Sequence, residues 1–392
     1  MDTLDFRSRE IYENPYPVYA RLREHSPVWR VAPFDGFAIG RYDDVMAVLK
    51  NTAHFSSHDV NKFFPPLPGA DLNANSLLSS DPPVHTSLRR VIGRSFTPAA
   101  MKRWEPRIEI IIQSLVSNIL AKPGKFNFVE DFANPLPVIV ISELLGIEAD
   151  RREDFKRWSD DVVSSRSVAL IPDPEERKNR LREVTESSDE MTEYFSEIIE
   201  RRKASPGDDL VSLLLDKDDH EVEISPSQLL GLCRLILVAG NETTTHLLGN
   251  TLLALLRHPD QMAKVRGDSA LIPQAIEETL RYDGPVLSVT RRTTREVEIG
   301  GVKIPAERLV LPLLGSANHD ERRFENPEIF DVQRKLPTGG HAAFGYGIHF
   351  CVGAPLARIE ARMAIKSLLD ALIKIELVDG AASGCHRLRC GG

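Results

Sequence analysis

The sequence predicts a mainly α-helical fold with small β-sheets, and three observations carry that expectation. In residues 101–120 and 183–202, apolar side chains recur three and four positions apart among charges, the pattern of helices with one face on a core. Residues 229–256 form a nearly continuous apolar run, long enough for a buried helix of many turns. After Tyr282 the texture changes to short runs rich in β-branched residues, Val289-Thr290 and 297–304, the second interrupted by Gly300-Gly301. This predicts small sheets and no second domain.

With 392 residues, 42% of them apolar, the chain has the material for a sizeable core. It shows no flexible linker, no fixed-period repeat and no low-complexity tract, so a single domain over 1–392 is expected. A net charge of -8, from 49 basic and 57 acidic side chains, argues against a nucleic-acid partner. Cysteines stand only at 233, 351, 385 and 390, without C-x-x-C spacing, which suits a reduced, cytoplasmic setting. The N-terminal segment alternates charges with single apolar residues and has no signal-peptide core. The 229–256 run contains Arg234, Asn241, Glu242, His246 and Asn250, and a central charge costs about 2.5–3.5 kcal/mol in a membrane span. Burial in protein, with no membrane, is the expectation.

Proline-rich breaks at Phe64-Pro65-Pro66-Leu67-Pro68-Gly69 and Ile171-Pro172-Asp173-Pro174 read as loops, of the kind that often borders binding sites. Asp81-Pro82-Pro83 opens a helix that sets His85 and Arg89 four apart on one face, spaced to take a di-anion. Within the long apolar helix, Ala239-Gly240-Asn241-Glu242-Thr243-Thr244 places an acid and an alcohol among apolar neighbours. Threonines bonding back to carbonyls one turn earlier, with a basic partner for Glu242, would account for them, and so would a functional site. Glu278 and Arg281 share a face of the helix over 271–282, an i,i+3 pair that in isolation reads as a surface ion pair.

The densest signal is Phe344-Gly345-Tyr346-Gly347-Ile348-His349-Phe350-Cys351-Val352-Gly353-Ala354-Pro355, followed by LARIEARMAIKSLLDAL at helical spacing. A glycine-rich loop thus delivers a cysteine to a helix start. Backbone N–H groups there stabilise a thiolate, glycines let a flat ligand approach the backbone, and such a thiolate suits haem iron. A buried cysteine in a tight turn is the plainer alternative for an isolated Cys. A zinc site joining His349 to Cys351 would need two further ligands, and none is apparent.

The pattern F-x-x-G-x-x-x-C-x-G, filled by Phe344, Gly347, Cys351 and Gly353, resembles the haem-binding loop of the cytochrome P450 family. The other motifs fall in that family's order from residue 81 to residue 360. The resemblance implies haem b (iron protoporphyrin IX) sandwiched between a long distal helix and the helix after a proximal cysteine loop, with Cys351 as axial ligand. It places Phe344, Gly345, Gly353, Ala239 and Gly240 against the cofactor. His85 and Arg89 would hold a propionate, with further contacts from Arg291 and His349; a solvated surface position is the plainer reading of Arg291. Glu242 and Thr243 fill the acid and alcohol of A-G-x-D/E-T, which relay protons to the oxygen site beside a local helix distortion. Glu278 and Arg281, joined by Arg334, would make a buried structural triad.

The implied reaction puts one oxygen atom of O2 into an apolar small molecule, by hydroxylation or epoxidation. The implied electron donors are a ferredoxin and its NAD(P)H-dependent reductase, with Arg94, Lys102 and Arg358 as candidates for the docking face. The sequence looks most like soluble bacterial members that hydroxylate fatty acids, terpenoids or steroids. Candidate pocket residues are Phe63, Phe64, Leu77, Val238, Val286, Leu287 and Val289, all apolar. A peroxygenase or isomerase is one alternative, against which the Glu242-Thr243 pair speaks. A haem-binding but inactive protein is another, raised by the tail 380–392, which lacks the alternating apolar residues of the hairpin that usually ends such chains. Cys385 and Cys390, on that tail, are assigned no function.

Overall fold

The computed structural model describes residues 3–6, 8–32, 35–64, 76–122, 124–168, 171–216, 224–378 and 390–391. In chain order its principal helices are α1 (Tyr16–His25), α2 (Tyr42–Lys50), α3 (Val84–Ser95), α4 (Glu105–Leu120), α5 (Pro135–Leu144), α6 (Arg152–Val168), α7 (Pro174–Ala204), α8 (Leu210–Leu215), α9 (Pro226–Arg257), α10 (Ile272–Asp283) and α11 (Ala354–Ala371). The strands are β1 (Thr3–Asp5), β2 (Val28–Ala32), β3 (Gly36–Ile39), β4 (Phe55–Ser56), β5 (Val286–Ser288), β6 (Arg291–Thr293), β7 (Val297–Ile299), β8 (Val302–Ile304), β9 (Leu309–Pro312) and β10 (Cys390–Gly391). Contacts group the chain into two compact units, one of residues 1–60, 246–354 and 360–392, the other of residues 61–245 and 355–359.

The first unit holds the sheets. Six strands run in the order β1-β2-β3-β9-β6-β4, with β3 parallel to β9 in the register Phe37 to Val310 and antiparallel to β2 in the register Arg30 to Phe37. Val28, Phe37 and Ile39 from this sheet meet Val45 and Val48 of α2, Val310 and Phe324 in a buried apolar cluster. Trp29 of β2 is also buried. The hairpin β7-β8 turns on Gly300 and Gly301, whose φ values of 54° and 77° are open to glycine and strained for other residues. The expected strand at Val289-Thr290 is instead a junction. There the chain leaves β5, which pairs with β10, and enters β6, which pairs with β4 and β9. The change of partner interrupts the ladder. Most of the tail lies outside the described residues, but Cys390–Gly391 pairs parallel with β5 through backbone groups, which need no apolar side chains.

The second unit is helical. Proline at the first position of α7 and the Asp173 carboxylate, which accepts from the Glu175 and Glu176 N–H groups, start the helix where the proline-rich break ends. Along α6 and α7, Phe155, Trp158, Tyr194 and Phe195 pack as a tilted and edge-on aromatic cluster. Trp158 is fully buried, donates its indole N–H to Glu190, and lies under the guanidinium groups of Arg151 and Arg157. The 101–120 pattern divides at Arg103–Trp104 into a short turn of helix and α4, because Pro106 cannot donate within a continuing helix. Among the described residues no helix is long and apolar enough to cross a membrane.

Candidate active site

The cysteine loop is built from backbone constraints. Gly345 and Gly347 both sit at φ 71°, and a side chain at Gly347 would come within 2.9 Å of the Leu49 carbonyl oxygen. The Cys351 N–H then donates to the Phe344 carbonyl at 2.9 Å, which closes the loop and leaves Cys351 three residues before the first residue of α11. Gly353 is the N-cap residue of that helix. The N–H groups of the helix start favour negative charge, so this position favours a thiolate. Cys233 differs: it is buried in α9 and burial pushes its thiol up to about 12, far from ionisation at neutral pH. His349, two residues before Cys351, has Nε2 3.0 Å from the Ser57 hydroxyl.

On α9 the polar cluster divides between faces. Asn241 donates to the Ser159 hydroxyl and Thr245 to the Ala133 carbonyl, so these two bind the helix into its unit. Ala133 ends a π-helical turn, Val129–Ala133, that precedes α5. Ala239 is exposed and Val238, Gly240, Glu242 and Thr243 are partly exposed, giving an accessible strip beside the buried Ile236, Leu237, Asn241 and Thr244. A side chain at Gly240 would fall 2.7 Å from the Ile141 Cδ1 atom, so glycine lets α9 pack closely on α5. The helix is continuous through this segment, with no break at the expected distortion. Thr243 donates to the Ala239 carbonyl at 2.7 Å, the back-bond foreseen for a threonine in a helix.

His85 is buried on α3 and Arg89 is half-buried one turn later. Arg291 departs from the solvated position: it is 5% exposed in β6 and donates to the Thr290 carbonyl, because the inner positions of this sheet face the core. Arg281 and Glu278 make a buried bidentate pair with both bonds at 2.8 Å, and Arg334 adds a bond of 3.0 Å to the same carboxylate. Arg281 also donates to the carbonyls of Asn318, Pro327 and Ile329. The isolated surface pair is thereby replaced by a buried junction.

Of the apolar pocket candidates, Phe63, Phe64, Leu77 and Val238 belong to the second unit, and Val286, Leu287 and Val289 to the first. Leu77 and Leu287 are buried, and Val286 and Val289 pack on the first unit's core. A cavity of about 400 Å³ between α2 and β7 is lined by none of these residues. Among the described residues no three His, Cys, Asp or Glu side chains are placed to hold a metal.

One residue escaped the reading of motifs. Glu360 on α11 is 1% exposed, its Oε2 atom has no hydrogen-bond partner among the described residues, and burial pushes its carboxyl from 4.5 up to about 8. The signal was available: in the helical stripe Leu356, Glu360, Ala364, Leu368 it is the one charged member. Between pH 4.5 and 8 the native state holds a proton that the unfolded chain has lost, so stability falls as pH rises through this window and then levels. Glu360→Gln, which mimics the neutral acid, is expected to stabilise the protein by on the order of 3 kcal/mol at neutral pH and much less at pH 4.5. Urea unfolding at the two pH values measures this; an equal gain at both would contradict it.

The chain matches the family description "Cytochrome P450" over residues 9–372. It belongs to the cytochrome P450 family. The cytochrome P450 monooxygenase PikC of Streptomyces venezuelae is 41% identical over 364 residues, covering 91% of this chain and 83% of that protein. The 6-deoxyerythronolide B hydroxylase of Saccharopolyspora erythraea is 37% identical, covering 93% and 90%. Among solved structures, cytochrome P450 CYP109E1 of Bacillus megaterium, in complex with testosterone, superposes with a TM-score of 0.85 at 34% identity, covering 95% of this chain and 94% of that one. This cytochrome P450 is therefore a haem-thiolate monooxygenase, using haem iron, O2 and a redox partner.

Proposed function

We propose that Cys351 holds the iron of haem b and that the enzyme hydroxylates or epoxidises an apolar small molecule. The observation that carries this reading is the loop closed by Phe344 and Cys351, which presents the sulfur at the start of α11. The donor set fits: an exposed thiol on a glycine-rich loop just before a helix start is a ligand of the kind that haem iron takes. When bound, the haem supplies oxygen activation and one-electron chemistry. His85, Arg89, Arg291 and His349 are the residues that would neutralise its propionates. Phe344, Gly345, Gly353, Ala239 and Gly240 are the residues that would lie against its flat faces.

Glu242 and Thr243 would hold and pass the protons that the reaction consumes, since both lie on the accessible strip of α9 and the Thr243 hydroxyl, which donates to the Ala239 carbonyl, keeps its lone pairs to accept. Glu278, Arg281 and Arg334 serve the fold. For the substrate, relatives are named for 6-deoxyerythronolide B and vitamin D(3), and a solved neighbour binds testosterone. Such bulky, largely apolar molecules suit the apolar candidates Phe63, Phe64, Leu77, Val238, Val286, Leu287 and Val289. A ferredoxin with its NAD(P)H-dependent reductase is the proposed electron source, met by Arg94, Lys102 and Arg358, all in the second unit. The chain is read as one cytoplasmic haem domain over 1–392; neither compact unit is a continuous stretch of it, which supports a single domain.

The test is the carbon monoxide difference spectrum of the reduced, haem-supplied protein. A red-shifted, thiolate-type Soret band is expected, whereas an imidazole-type band or no haem uptake would overturn the assignment. Thr243→Ala is expected to keep consuming electrons while the yield of product per NAD(P)H drops several-fold and peroxide accumulates. Equal coupling in the variant and wild type would remove Thr243 from the relay.

A further inference from the structure

Helix α11, which follows the cysteine loop, buries Leu356, Ala364 and Leu368 along one stripe, and Glu360 fills the position between them. The carboxyl lies six residues into the helix, about 9 Å along its axis from the end nearest Cys351. Its Oε2 atom has no partner, and among the described residues no charged group acts on it; burial is the only influence. Arg358 and Arg362, two residues away on either side, project about 200° around the helix. An acid in this position responds to any charge that enters the interior nearby. A unit charge about 12 Å away at an effective dielectric of about 20 moves such a group by about one pH unit.

We propose that Glu360 is the proton acceptor coupled to one-electron reduction of the holoenzyme. At alkaline pH, where Glu360 is ionised in the oxidised protein, one electron arrives from a one-electron donor protein at the cofactor held by Cys351, and one proton passes from solvent to the Glu360 carboxylate, giving the neutral acid. The added electron and proton cancel, so the interior gains no net charge. This step rests on the reading of Cys351 as the haem ligand. It gives the enzyme a reason to retain a costly ionisable group where its neighbours in the stripe are apolar.

The experiment is a spectroelectrochemical titration of the holoenzyme between pH 6 and pH 9.5, wild type beside Glu360→Gln. The wild-type midpoint potential is expected to be flat at low pH and to fall as pH rises above about 8, where Glu360 ionises in the oxidised protein. The limiting slope for one proton per electron is about 59 mV per pH unit, a tenfold change in equilibrium constant. In Glu360→Gln this slope should vanish. The same slope in both proteins, each with a thiolate-type carbon monoxide band, would overturn the proposal and leave the ligand assignment standing. Absence of that band in the wild type would instead overturn the ligand assignment, and the proposal with it. Should the glutamine variant not take up haem, the reduced-minus-oxidised infrared spectrum of the wild type at pH 8.5 decides. A carboxylic-acid carbonyl band that appears on reduction and shifts in D2O supports the proposal, and its absence overturns it.

Discussion

Cys351→Ser is expected to give a folded protein with no monooxygenase turnover above background. The backbone N–H of residue 351 still reaches the Phe344 carbonyl, and the side chain is not part of the core, so stability should stay within about 0.5 kcal/mol of the wild type. The chemistry is what changes. A serine hydroxyl does not ionise near neutral pH as a thiol at a helix start does, so on the proposed reading of Cys351 as the haem ligand the electron-rich sulfur donor that favours O–O cleavage would be lost. The reduced carbon monoxide spectrum should lose its red-shifted Soret band in the variant, and product formation should vanish even under forcing reduction. A retained thiolate-type band would mean that another residue binds the iron.

Arg281→Ala is expected to have the largest effect on the fold. It removes two charge-assisted bonds to Glu278 and three to backbone carbonyls, and leaves a carboxylate that is 2% exposed with Arg334 as its remaining cation. Breaking a buried pair in this way costs about 3–5 kcal/mol, against a typical total stability of about 5–15 kcal/mol. Little holoprotein should accumulate, and what does should unfold at markedly lower urea. Arg281→Lys keeps the charge but not the fork that spans Glu278 and the carbonyls, so it should fall between the two. An alanine variant as stable as the wild type would show that the junction is dispensable.

The parts of this protein that were legible in the sequence are those where one local pattern has one structural solution. Apolar spacing marked α4, α7 and α9, and the glycines around Cys351 marked a loop whose positive φ angles only glycine adopts readily. The pairing of Arg334 with Glu278, 56 residues away, was reached through family resemblance, because nothing in spacing alone joins them. Strands β1 to β4 went unforeseen: each is two to five residues long and gains its stability from distant partners such as β9 and β6. Arg291 was ambiguous for a related reason, since its burial depends on which face of β6 meets the core. Glu360 was hidden by its apolar surroundings, where a charged letter in a helix reads as surface until the stripe is traced.

The tryptophans carry a practical consequence. The chain has three, at 29, 104 and 158, and they divide unevenly: Trp29 is embedded in the sheet of the first unit, while Trp158 is enclosed in the aromatic cluster of the second. Trp104, at the start of α4, is the least buried of them. With Trp104 replaced by phenylalanine, the chain would keep one buried emitter per unit. Intrinsic fluorescence of the corresponding single-tryptophan chains would then follow each unit through denaturation by its own light, and show whether loss of order spreads through both together or begins in one.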